Sequence, residues 1–63
     1  MCEAAAYILK NDKEELLLKE VAKITIAGDN IELVTIMGEK QVIPAKIKEI
    51  NLIRHKIILT TKE

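Results

Sequence analysis

Apolar and polar residues alternate with period two along much of this 63-residue chain, the pattern of strands with one buried face. In Val21-Ala22-Lys23-Ile24-Thr25-Ile26, residues Ala22, Ile24 and Ile26 share one face and Lys23 and Thr25 the other. Ala27-Gly28-Asp29-Asn30 follows, and its Gly, Asp and Asn tolerate positive φ, so the chain can reverse into Ile31-Glu32-Leu33-Val34-Thr35-Ile36. A second reversal is expected at Met37-Gly38-Glu39-Lys40, leading to Gln41-Val42-Ile43 and the single proline. Pro44 cannot donate to a sheet ladder and belongs at a strand end, a bulge or an exposed edge. Beyond it Ile47 and Ile50 are three apart, which breaks the alternation and predicts a bulge or bend near Lys48-Glu49 before a strand over Ile50-Asn51-Leu52-Ile53. A turn at Arg54-His55-Lys56 and a strand over Ile57-Ile58-Leu59-Thr60 complete the pattern.

The N-terminal third admits two readings. Ala5 to Leu9 reads as a strand, while Asp12 with Glu15 three residues on forms a capping-box pattern, and the Glu, Leu and Lys of residues 12–20 favour helix. Three consecutive leucines, Leu16, Leu17 and Leu18, spread apolar area around a helix instead of along one stripe. A hairpin turning at Asn11-Asp12 and returning through these leucines agrees better with the strands that follow. The expected fold is therefore all-β: a small antiparallel barrel, SH3-like or a sandwich, of five to seven short strands, forming one domain over residues 1–63 without repeat or linker.

Composition narrows the function classes. Ten Lys and Arg balance ten Asp and Glu, whereas capture of nucleic acid through its phosphates calls for excess positive charge. Tyr7 is the only aromatic residue, which leaves almost nothing on which single-stranded bases could stack. No apolar run approaches the ~20 residues needed to span a bilayer, and Met1-Cys2-Glu3-Ala4-Ala5-Ala6 does not read as a signal peptide, so a cytoplasmic protein with no membrane partner is expected. A chain this short hides only ~60% of its unfolded surface. With a single cysteine it cannot form an internal disulfide, so stability must come from a metal, a second copy or unusually good packing.

Material for catalysis is scarce. The chain has no Ser, one Cys and one His, and Gly28 and Gly38 stand alone in turns instead of forming a phosphate loop. No enzymatic activity is expected. Cys2 is the residue whose position carries chemistry: removal of Met1 by methionine aminopeptidase would leave an amine and a thiol two carbons apart, able to chelate a metal in a five-membered ring. Two such ends related by a twofold axis supply two nitrogens and two sulfurs, a square-planar set that suits Ni(II) and also Cu(II), whereas Zn(II) prefers a tetrahedron. That reading demands a homodimer. Equally, a lone cysteine can be only a small apolar residue. His55, between two cations in a turn, is expected to be solvated or bonded to backbone, and Tyr7 to be a core or dimer-interface residue.

Met1-Cys2 opening into a small-residue and aliphatic strand, the segment Glu14 to Val21, the turn Gly28 to Leu33, Gly38-Glu39 and the run Ile47 to Leu59 together resemble the CooT-type small nickel-binding proteins. The resemblance covers nearly the whole chain, and its most specific elements are the cysteine at position two and the run through His55. It implies a small all-β homodimer that delivers nickel for maturation of carbon monoxide dehydrogenase, a client metalloenzyme, with Cys2 as the nickel ligand. The same family has been labelled a predicted RNA-binding protein. An RNA-binding module using Lys46, Lys48, Arg54 and Lys56 is thus one alternative, and a non-metal adaptor pairing through a strand edge is another.

Overall fold

The computed structural model describes residues 4–61, which form six strands: β1 (Ala4–Lys10), β2 (Lys13–Ala27), β3 (Asn30–Thr35), β4 (Lys40–Ile43), β5 (Ala45–Asn51) and β6 (Lys56–Thr61). They make one sheet in the order β4-β3-β2-β1-β6-β5. The all-β expectation holds, and the strand alternative holds for residues 13–20, which the helix reading had claimed. There is no second sheet among the described residues, so the sandwich form does not apply; the single sheet curls into a half-barrel. Its edge strands β4 and β5 are consecutive in the chain and meet at Pro44, between the two strands, one of the places expected of it. One pairing departs from the antiparallel expectation: β1 and β6 run parallel, from Ala5 opposite Lys56 to Leu9 opposite Thr60. Period-two patterning records which face is buried and carries no information about strand direction.

The turns follow their residues. Asn11 and Asp12 both adopt positive φ, 50° and 65°, between Lys10 and its partner Lys13. Gly28, at φ 60°, begins the two-residue reversal between Ala27 and Asn30, where a turn with positive φ at its first central position takes glycine. Thr35 closes the β3–β4 turn: its N–H donates to the Glu39 carbonyl at 2.8 Å, and its hydroxyl accepts the Glu39 N–H at 3.1 Å. Thr35 is the one buried polar residue among the described residues, and this bond satisfies it.

β2 is a single strand of 15 residues where the sequence suggested separate segments, and bulges allow it to bend that far. Residues 13–21 pair with β1 and residues 21–27 with β3. Leu17 is an extra residue between the pairs Ala6–Leu18 and Tyr7–Leu16, Lys19 and Glu20 bulge opposite Ala5, and Ala22 is extra between Val21 and Lys23. These shifts explain the three leucines: Leu17 and Leu18 both pack against the core while Leu16 faces outward. They also move Ala22 out to solvent and put Val21 in the core, so the expected Ala22-Ile24-Ile26 face survives only at Ile24. The bulge expected near Lys48-Glu49 is present, with Lys48 unpaired between Ile47–Leu59 and Glu49–Ile58.

The core fills the concave side of the sheet with Ala6, Ile8, Val21, Ile31, Leu33, Ala45, Ile57 and Leu59, all aliphatic as the composition requires. Tyr7, between Ala6 and Ile8, points to the opposite face and is not a core residue. There it lies beside Ile58 and beneath Lys56, whose Nζ is 4.9 Å from the ring centroid and 2.6 Å from Glu14 Oε1. This bridge ties the β1–β2 hairpin to β6 across β1.

Candidate functional site

One end of the half-barrel is built around the start of β1. Ala4 pairs with Val21 on one side, and Ala5 pairs with Lys56 on the other. The Ala5 N–H donates to the His55 carbonyl at 2.9 Å, so the start of β1 is stitched directly to the β5–β6 turn. Met1, Cys2 and Glu3 precede this point and lie outside the described residues, as do Lys62 and Glu63. The sequence-predicted ligand Cys2 is therefore two residues upstream of Ala4 in the chain, and no geometry is assigned to it.

Beside Ala4 the sheet end opens into a groove of about 480 Å³, lined mainly by apolar surface from Ala4, Ile36, Ile50 and Leu52 with His55 at its margin. Its walls are set by backbone bonds. The Ile36 N–H donates to the carbonyl of Glu20, a residue held at φ 57° within the β2 bulge. On the facing side β5 stops at Asn51 instead of running on to Ile53, because the Asn51 Oδ1 accepts the Arg54 N–H at 3.1 Å and folds the chain into a turn. His55 completes that turn at φ 55°. The expected strand Ile50 to Ile53 is thus half strand and half turn, and its apolar residues Leu52 and Ile53 project into solvent.

The other sequence candidates are distributed differently. His55 is exposed, as expected of a turn histidine, and its backbone carbonyl is the group that accepts the Ala5 N–H. Of the four cations proposed as a basic patch, Lys56 is engaged by Glu14 and Tyr7, Lys48 is the bulged residue of β5 beside Glu49, Lys46 precedes it on the same strand, and Arg54 lies in the exposed turn after β5. Among the described residues no three His, Cys, Asp or Glu side chains converge to hold a metal. No helix among them is long and apolar enough to cross a membrane. A second crevice, about 460 Å³, lies at the opposite end against the polar Asn11-Asp12 hairpin and Thr60.

The family model for the CO dehydrogenase accessory protein CooT matches residues 1–60. The chain belongs to the CooT family. A crystal structure of a protein assigned as CooT from Carboxydothermus hydrogenoformans superimposes with a TM-score of 0.89 at 42% sequence identity, covering 98% of this chain and all of that one. No curated protein matches the chain. Family membership ties the chain to an accessory role toward CO dehydrogenase and accounts for the resemblance read from Cys2 and the run through His55. What sequence reasoning missed is the apolar groove: Ile36, Ile50 and Leu52 read as ordinary strand residues. The available signal was Asn51 three residues before Arg54, a side chain and an N–H at the spacing of a turn.

Proposed function

We propose that this CooT-family chain is a non-enzymatic nickel carrier of the cytoplasm, in which two copies hold one Ni(II) between their Cys2 thiolates and pass it to a client, CO dehydrogenase. The observation that carries the reading is membership of a CO dehydrogenase accessory family by a chain whose one thiol stands at position two. Thiolate is a soft donor, and two of them with nitrogen donors make a set suited to Ni(II). The described residues add support at the same end: β1 is anchored between β2 and the His55 turn, so the segment bearing Cys2 starts from a fixed point.

A carrier must bind its metal firmly enough to hold it and leave it open to transfer. Ligands drawn from two chains meet that need, because the site can come apart when the copies separate. Titrating the protein with Ni(II) and following the thiolate-to-nickel charge-transfer absorbance tests the reading. The band should grow with metal in the parent protein and be absent in Cys2→Ser; equal signals in the two proteins would overturn it.

A further inference from the structure

We infer that the His55 imidazole is a nitrogen donor to the carried nickel ion, joining the Cys2 thiolate in the set each copy contributes. The inference rests on the nickel-carrier reading above and names a second ligand for it. His55 and Cys2 stand near opposite ends of the chain. The fold closes that separation by laying β1 parallel to β6, with Ala5 opposite Lys56. The Ala5 N–H donates to the His55 carbonyl at 2.9 Å, so the histidine is fixed to the backbone three residues after Cys2. Ala4 and His55 also line the same groove. Two residues of extended chain span at most about 7 Å, which sets the length of the tether between Ala4 and the residue that bears the thiol.

The ring is free to serve as a ligand. His55 is exposed, and among the described residues its imidazole makes no hydrogen bond or ion pair. Of the two cations that flank it in sequence, Lys56 is held on the convex face by Glu14 and Tyr7, which draws one positive charge away from an incoming cation. The turn itself is fixed: the Asn51 Oδ1 accepts the Arg54 N–H, and His55 holds φ 55°, a conformation that histidine tolerates better than most residues. Imidazole suits nickel as it suits zinc and copper. A set of two sulfurs and two nitrogens drawn from two copies needs a nitrogen from each. His55 supplies it whether or not Met1 is removed, whereas the Cys2 amine is available only after that removal.

The test is nickel K-edge X-ray absorption and isothermal titration calorimetry with Ni(II) on the untagged full chain, His55→Asn and Cys2→Ser. His55 is the only histidine, so outer-shell imidazole scattering around the nickel has a single source. The parent should show that scattering together with nickel–sulfur scattering. Asparagine suits the same φ, so His55→Asn should keep its far-UV circular dichroism while losing the imidazole signal. It should also bind nickel about tenfold more weakly, the scale on which disturbing a metal's donor set acts. A parent that binds nickel through sulfur without imidazole scattering overturns the assignment and leaves the Cys2 reading standing, even if His55→Asn binds more weakly. Unchanged affinity in His55→Asn overturns it as well. Imidazole scattering retained by nickel-loaded Cys2→Ser upholds His55 and removes the thiolate reading, and a parent that binds no nickel overturns both.

Discussion

Glu20 is a place where local backbone strain can be relieved to give a sharp test. Among the described residues with positive φ it is the one that is not Gly, Asn, Asp or His, the types that tolerate this region, and its φ of 57° lies inside the bulge that lets β2 serve both β1 and β3. An L-residue in that region costs about 1–2 kcal/mol through crowding of its β-carbon. Glycine removes that cost and introduces about 0.5–1 kcal/mol of extra unfolded-state entropy. Glu20→Gly should therefore stabilise the protein by about 0.5–1 kcal/mol. For a domain near 60 residues that is a rise of roughly 4–8 °C in melting temperature. The carbonyl of residue 20, which accepts the Ile36 N–H at 2.9 Å, is retained in the variant, so the wall of the groove should be unchanged. Glu20→Ala is the control: it keeps the β-carbon and should stay within about 0.5 kcal/mol of the parent or fall below it. Urea unfolding and thermal melts followed by circular dichroism, at one fixed protein concentration because self-association shifts apparent stability, read both variants. A glycine variant no more stable than the parent, or an alanine variant that gains as much, would refute the strain argument.

The core and the outer bridge give further expectations. Leu59 is fully buried on β6 against β1 and β5, so Leu59→Ala should cost about 2–5 kcal/mol. That is a large part of the roughly 3–9 kcal/mol available to 63 residues, and the urea midpoint should collapse; a loss under about 1 kcal/mol would contradict the assigned core. Lys56→Met removes the contacts to Glu14 and Tyr7, but the ion pair is partly exposed, so the loss should be no more than about 1 kcal/mol. The stability of the variant should depend less on added salt than that of the parent, and a loss above about 2 kcal/mol would mean that the outer face is packed more tightly than this geometry shows.

Legibility in the sequence tracked the range of the interaction. Turns at Asn11-Asp12, Gly28-Asp29 and Gly38, the bend at Pro44 and the bulge at Lys48 were readable because each is set by the conformational preferences of a few adjacent residues. The parallel pairing of β1 with β6 was not readable, since it joins the two ends of the chain and leaves no local mark. The bulges of β2 were hidden because Leu17, Glu20 and Ala22 carry no turn signature; tertiary bending imposes them, and at Glu20 imposes them against local preference. Tyr7 illustrates the limit of hydrophobicity alone, because its ring is half-buried on the convex face by Lys56 instead of in the core. At the site, the family was legible from single residues and their order. The groove was not, because its apolar lining becomes a surface only once Asn51 ends β5 early.

Sharing of one nickel ion by two chains through Cys2, as proposed, is read directly by native mass spectrometry of the nickel-loaded protein. The parent should give a species of two chains and one nickel, and Cys2→Ser two chains without metal. One nickel on each single chain, or nickel kept by the Cys2→Ser protein, would contradict it.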